Sequence, residues 1–196
     1  MIDSDLTFSQ LMERVRQCTL CQAVLPHEPR PVVQASPEAR ILVVGQAPGR
    51  RVHETGLPFN DPSGDRLRDW MGISRAVFYD EHQLAILPMG FCYPGTGKQG
   101  DLPPRPECAP AWRKAILSHL THIQLTLVIG RYAQAWHLGS PKRSVTDAVL
   151  EWEAHWPELV ALPHPSPRNN RWLKENPWFE DAVLPRLKAR VRDVLG

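Results

Sequence analysis

Short runs of apolar residues alternate along this chain with segments of helical periodicity. Four runs have the length and composition of buried strands, at about residues 40–45, 84–91, 125–130 and 158–163. Apolar residues recur at helical spacing at about residues 7–17, 64–71, 107–121, 131–136 and 177–194. Strands that alternate with helices predict an α/β fold, with a parallel sheet and helices on both of its faces.

Three local features qualify this pattern. The first strand runs into residues 46–63, which read as a polar loop, and Ser63 is a possible N-cap for the helix that follows. Pro88 interrupts the second strand, which should end or bulge there because proline lacks a backbone donor. The stretch 93–106 is rich in glycine and proline and reads as a loop.

Length and composition suit a single domain spanning residues 1–196, which we expect to be a monomer. The formal net charge is only +2, so the overall charge does not by itself indicate a nucleic-acid partner. No apolar run reaches the 18 or so residues of a membrane span, and we expect no membrane partner. The acidic, polar N-terminus does not resemble a secretory signal, so we expect a cytoplasmic protein.

The chain has four cysteines: a CxxC pair, Cys18 and Cys21, and two more, Cys92 and Cys108, at the ends of the glycine- and proline-rich loop. In a reducing compartment, metal ligands or buried thiols are more common than disulfides. The spacing alone leaves three interpretations open: free buried thiols, an iron–sulfur cluster, or zinc.

Four motifs occur in a specific order: CTLC at 18–21, GQAPG at 45–49 with GLPF at 56–59, the pair Cys92 and Cys108, and HPSPRN at 164–169. Together they resemble the uracil-DNA glycosylase superfamily, and most closely its iron–sulfur branch, called family 4. The similarity runs from Cys18 to the C-terminal helix, and so over nearly the whole chain.

The resemblance implies a three-layer α/β/α fold around a four-stranded parallel sheet, with a DNA groove at the carboxyl ends of the strands. It implies a DNA repair enzyme that hydrolyses the N-glycosidic bond of uracil or another deaminated base in DNA. It also implies that Cys18, Cys21, Cys92 and Cys108 hold a [4Fe-4S] cluster.

The same resemblance assigns base-binding roles. Phe59 would stack on a base that has been flipped out of the DNA, and His164 would donate a hydrogen bond to that base as it leaves. Backbone amides around Gln46 and Ala47 would contact the base as well. Asn60 is not assigned this way: it follows Phe59 directly and is the candidate to replace the base-reading asparagine of the family, whose position Pro88 occupies in this chain.

Basic and polar residues of the two main motifs predict a DNA-binding surface, because both motifs leave strand ends on the same edge of the sheet. The predicted DNA-binding residues are Arg50, Arg51, Ser166, Arg168, Asn169 and Asn170.

Three positions depart from the family pattern. Gln46 stands in the catalytic motif where family 4 has glutamate, Ala47 where the best-known branch has a water-activating aspartate, and Pro88 where a base-reading asparagine is usual. Glu54 and Asp61 are the nearby carboxylates that can activate water. The alternative interpretation is a catalytically impaired protein of this fold that binds uracil-containing or abasic DNA.

Overall fold

The computed structural model describes residues 6–98 and 100–196 of the chain. Within them the strands are β1 (Ile41–Val44), β2 (Leu84–Ile86), β3 (Thr96–Gly97), β4 (Gly100–Asp101), β5 (Leu125–Ile129) and β6 (Leu159–Leu162). The central sheet is parallel, with the strand order β2-β1-β5-β6, whereas β3 and β4 form a small antiparallel hairpin.

The α-helices of the described residues are α1 (Phe8–Arg16), α2 (Arg50–Thr55), α3 (Pro62–Met71), α4 (Arg75–Phe78), α5 (Cys108–Leu117), α6 (Gly130–Leu138), α7 (Val145–Leu150), α8 (Asn170–Glu175) and α9 (Leu184–Leu195). Short 3₁₀ turns cover Trp152–His155 and Pro167–Asn169, and a π-helical turn at Phe179–Val183 leads into α9. No helix in the described part of the chain is long and apolar enough to cross a membrane.

Helices flank the sheet and complete the three-layer α/β/α fold. Helix α3 packs against α9, α1 packs against α5, and α6 and α7 contact the strands β5 and β6. Every residue of β1 and β2 is buried, as expected for parallel strands covered on both faces. The predicted fold class and the four-stranded parallel sheet are confirmed.

The second predicted strand is shorter than its apolar run. β2 ends at Ile86, and the next residues continue beside the end of β1 through irregular hydrogen bonds, such as Met89 N to Gly45 O at 2.9 Å. Pro88 breaks the ladder because it has no N–H to donate. The prediction that the strand ends near Pro88 is confirmed, and the prediction that it extends to residue 91 is wrong.

The predicted polar loop at 46–63 is partly helical. Helix α2 occupies Arg50–Thr55 and is closed by Gly56, whose φ of 70° is a left-handed conformation that suits glycine. The following helix starts at Pro62, and its N-cap is Asp61, whose carboxylate accepts from Gly64 N at 2.9 Å. The prediction of Ser63 as the cap is therefore wrong. Asp61 outcompetes it because Pro62 is well placed at the first helical position.

The glycine- and proline-rich stretch between Cys92 and Cys108 is also more ordered than predicted. It contains the β3–β4 hairpin, in which Thr96 pairs with Asp101 and Gly97 with Gly100. Two-residue strands carry too little periodicity to be recognised in a sequence.

Candidate functional site

An open cleft of about 670 Å³ lies at the carboxyl ends of the parallel strands. Along the chain β1 is followed by β2 on one side, and β5 then pairs with β1 on its other side, so the strand order reverses beside β1. Such a reversal opens a crevice where ligands bind in α/β folds. Its lining includes Gln46, Ala47, Phe59, Asp61, Pro88, Asp101, His164, Ser166, Arg168 and Asn169.

Phe59 is held in the cleft by an unusual backbone conformation. Its φ of 53° is the one left-handed value found at a non-glycine residue in the described chain. The chain packs tightly there, since a Cβ on Gly64 would lie 1.8 Å from the Phe59 carbonyl oxygen. The ring stands edge-on to Phe78 at 6.1 Å, and Tyr79 donates to Pro58 O at 2.9 Å. Strained residues of this kind concentrate at ligand-binding sites.

His164 follows β6 and lies half-buried in the cleft. Its Nδ1 accepts from Ser166 N at 3.1 Å, so the neutral ring carries its proton on Nε2. Its carbonyl oxygen accepts from Asn169 Nδ2 at 2.8 Å, which fixes the backbone. Burial lowers the pKa of His164, and the carboxylates of Asp61 and Asp101 partly oppose that shift. The ring is therefore a neutral donor near pH 7.

Gln46 and Ala47 line the cleft where the loop leaves β1. Gln46 Nε2 donates to Leu102 O at 2.9 Å, just beyond the β3–β4 hairpin. Its backbone carbonyl accepts from Gly90 N at 2.9 Å. Because the amide nitrogen is engaged, the side-chain oxygen of Gln46 is the group left to accept a hydrogen bond from a ligand.

The predicted carboxylates and amide separate into two groups. Asp61 lines the cleft while it caps α3. The structure does not place Glu54 or Asn60 in the described cleft lining. Glu54 forms an exposed ion pair with Arg50 at 3.0 Å, and Asn60 Oδ1 accepts from Arg75 at 2.9 Å.

Three of the six predicted DNA-binding residues line the cleft. Arg50 and Arg51 are exposed on the short helix α2, whereas Ser166, Arg168 and Asn169 line the cleft. Asn170 lies outside that lining in the described chain. Its side-chain oxygen accepts from Arg66 at 2.8 Å, and Arg66 also donates to Ser166 O at 3.1 Å.

A second, mostly apolar cavity is lined by all four cysteines together with Leu20, Leu25, Pro29, Pro31, Gly90, Phe91 and Arg105. Two of the sulfurs accept hydrogen bonds: Cys18 from Trp112 Nε1 at 3.2 Å, and Cys108 from Phe91 N at 3.3 Å. Among the described residues, no three side chains of the metal-binding types converge as a single metal ion would require. The thiols instead surround a shared space.

Burial raises the pKa of Cys92 to about 11 and that of Cys108 to about 12. Both groups are thus neutral thiols unless a cation replaces their protons, because buried thiolates need a positive partner. Four thiols around one apolar cavity, with N–H groups aimed at the sulfurs, are a donor set that fits an iron–sulfur cluster.

Two residues of the cleft region have no signal in the sequence pattern. Asp101 sits in a loop whose composition indicates only turns, and it enters the lining because the hairpin folds back over the GQAPG loop. Arg66 is one of two arginines on α3, and only the tertiary fold brings it to Ser166.

Comparison with protein families agrees with this geometry. The chain matches the model of the uracil DNA glycosylase superfamily over residues 32–188, which include β1, the cleft and His164. The chain therefore belongs to the uracil DNA glycosylase superfamily. Proteins of this superfamily are generally DNA glycosylases, and the cleft lining of this chain includes the basic side chain of Arg168.

Proposed function

We propose that this protein is a DNA glycosylase that hydrolyses the N-glycosidic bond of uracil or another deaminated base. The observation that carries the proposal is that two groups meet in one cleft: the aromatic ring of Phe59, which stands on a strained backbone, and a neutral histidine donor, His164. A flat stacking surface and a hydrogen-bond donor are the two groups that capture of a flipped base and departure of that base require.

The chemistry follows from where charge develops. When the N-glycosidic bond breaks, its electron pair stays on the base, and the oxygen of the base becomes more negative. A preorganised donor stabilises that oxygen more in the transition state than in the ground state. His164 Nε2–H is such a donor, because Ser166 N and Asn169 hold the ring and its backbone in place.

The identity of the base depends on the floor of the cleft. Pro88 lies there and has no side-chain amide, so it cannot read a base edge as asparagine does. Arg113, which is fully buried, donates to the Pro88 carbonyl at 3.0 Å and thereby occupies it. We therefore propose a substrate range that includes purines with a lactam edge, such as hypoxanthine and xanthine, besides uracil.

Exposed arginines support binding of the DNA strand that carries the base. Arg168 lines the cleft, and Arg50 and Arg51 are exposed on α2, between the lining residues Gly49 and Val52. Phosphate contacts of this kind supply affinity without reading sequence.

We also propose that the chain belongs to the iron–sulfur branch of the superfamily, with a [4Fe-4S] cluster held by Cys18, Cys21, Cys92 and Cys108. The convergence of these thiols on one cavity supports the proposal. When bound, such a cluster would contribute a structural tie between the segment after α1 and the loop that starts at Cys92. It would take no part in hydrolysis.

The cluster is tested by the colour and metal content of the protein. Anaerobically purified protein should be brown, with broad absorption near ~400 nm and bound iron and sulfide. Cys92→Ala should lose the iron and unfold at a lower temperature. Colourless wild-type protein that contains one zinc would show that the four cysteines hold zinc and not a cluster. Stable wild-type protein that contains no metal would show that the site holds no cofactor.

The glycosylase activity is tested with labelled oligonucleotides that carry uracil, hypoxanthine or xanthine, single-stranded and paired. Base release leaves an abasic site that alkali cleaves, and a gel detects the shorter product. Cleavage of at least one substrate is expected, and cleavage of none would contradict the proposal.

A second function is favoured by one observation: Gln46 and Ala47 bring no carboxylate to the cleft at the positions where the family has acids. The protein would then bind uracil-containing or abasic DNA without excision. Tight binding in the same oligonucleotide panel, with no base released, would establish this alternative.

A further inference from the structure

The β3–β4 hairpin forms one wall of the cleft and contacts both active-site loops. On the side of the first loop, Gln46 donates to Leu102 O, and a Cβ on Gly49 would lie 3.5 Å from Asp101 Oδ2. On the side of the second loop, a Cβ on Gly100 would lie 2.9 Å from an Arg168 nitrogen. The hairpin thus brings Asp101 to the place where the two loops meet.

The Asp101 carboxylate is oriented but not consumed by other contacts. Thr96 Oγ1 donates to Asp101 Oδ1 at 3.3 Å, and Thr96 is itself in a short hydrogen bond with Tyr93. Oδ2 faces the backbone of Gly49, and the side chain is exposed at the mouth of the cleft. One oxygen is therefore positioned, and the other is open to water.

The charge of Asp101 is unexpected on a surface that must approach phosphates. A carboxylate at the rim of a DNA-binding cleft repels the DNA backbone and weakens binding. A compensating role is available there, because a base that enters the cleft leaves its sugar at the mouth. For Asp101 to act on that sugar, the anomeric carbon, C1′, has to lie on its side of the cleft while the base lies at Phe59 and His164, which line the same cleft.

We propose that Asp101 is a catalytic residue, the carboxylate that activates the attacking water. This inference rests on the proposed glycosylase function. The water oxygen forms a bond to C1′ as the C1′–N bond breaks, and the electron pair of that bond leaves with the base. Asp101 accepts the proton that the water loses, while His164 donates a hydrogen bond to the anionic base, which later takes a proton from solvent.

The other carboxylates fit this task less well. Asp61 Oδ1 accepts from Gly64 N as the cap of α3, and the contacts around Gly49 in the described chain include Asp101 Oδ2 but no oxygen of Asp61. Glu54 pairs with Arg50 outside the described lining of the cleft. Asp101 differs from both, because its Oδ2 lies next to Gly49 of the GQAPG loop and its Oδ1 accepts from Thr96 and caps no helix.

The test compares Asp101→Asn, Asp101→Glu and the wild type on whichever substrate the wild type cleaves. Single-turnover rates, DNA affinity on an uncleavable abasic analogue, and melting temperature are measured for each. We expect Asp101→Asn to react about 100- to 1,000-fold more slowly, with DNA affinity equal or higher because a negative charge is lost. Asp101→Glu, which keeps a carboxylate, should react at least tenfold faster than Asp101→Asn.

Asp69→Asn is the matched control, since Asp69 is exposed on α3 and lies 4.0 Å from Lys188, away from the cleft. Its rate should equal that of the wild type. An Asp101→Asn rate within threefold of wild type overturns the assignment, and so does a rate loss with a parallel fall in affinity and melting temperature. Wild-type protein that releases no base from any substrate overturns the glycosylase function and, with it, this role of Asp101.

Discussion

Replacement of His164 by alanine separates catalysis from binding and stability. The change removes the Nε2–H donor that faces the cleft and the Nδ1 acceptor that Ser166 N uses at 3.1 Å. Loss of one preorganised donor to a developing anion typically costs about 2.7–4 kcal/mol, or about 100- to 1,000-fold in rate. Loss of the Ser166 hydrogen bond costs about 1 kcal/mol of stability.

These two magnitudes give distinct readouts. A loss of about 1 kcal/mol should lower the melting temperature by about 2–4 °C in a protein of this size. The single-turnover rate of base release should fall by two to three orders of magnitude, because the donor acts chiefly in the transition state. DNA affinity should change little, since we propose that Arg50, Arg51 and Arg168 provide the phosphate contacts.

The assay uses enzyme in excess over a labelled oligonucleotide, with quenching by alkali, and affinity is measured on an abasic analogue. His122→Ala, at an exposed histidine outside the described cleft lining, is the matched control and should match wild type throughout. An unaltered rate with a lowered melting temperature would show that His164 only supports the turn after β6. A loss of rate that is accompanied by an equal loss of DNA affinity and by unfolding at a much lower temperature would also refute a catalytic role for His164.

Two further predictions concern stability. Gly64→Ala should lower the free energy of unfolding by at least about 2 kcal/mol, because the new Cβ would lie 1.8 Å from the Phe59 carbonyl oxygen. Gly45→Ala is the control and should cost less, because its Cβ would lie 3.6 Å from the nearest atom, in the Phe59 ring. Equal urea midpoints for the two variants would contradict this prediction. Burial and the charge of Arg113 lower the pKa of His137 to about 4, so stability should fall as pH drops from about 6.5 towards 4. His137→Gln, which keeps an acceptor for Arg113, should reduce that fall by up to about 3 kcal/mol; superimposable pH curves would contradict it.

The sequence predicted the strands well because parallel strands are short and apolar throughout. Ile41 to Val44 are all buried, and a run of this kind has few alternatives. The last helix, predicted at about 177–194, was equally readable, because apolar residues recur there at helical spacing and are buried: Phe179, Val183, Leu187, Val191 and Val194. Its π-helical start could not be predicted, because periodicity does not resolve one inserted residue.

The candidate site was predictable only where a residue belongs to a motif. Phe59 and His164 were found because GLPF and HPSPRN carry them, and both line the cleft. Asn60 and Glu54 were predicted from their nearness in sequence, yet ion-pair and amide contacts turn them to Arg75 and Arg50. Nearness along the chain is a poor guide in a segment that changes from loop to helix within a few residues.

In the proposed role of Phe59 as the ring that stacks on a flipped base, its left-handed backbone affects the entropy of base capture. An aromatic side chain on a flexible loop would have to be immobilised when a base arrives, at a cost of about 0.5–1.5 kcal/mol. Here the close approach of Gly64 and the hydrogen bond from Tyr79 to Pro58 O hold the backbone in place, and the ring packs edge-on against Phe78. The protein therefore bears a local strain of about 1–3 kcal/mol in every molecule, and each encounter with DNA meets a stacking surface that needs no further ordering.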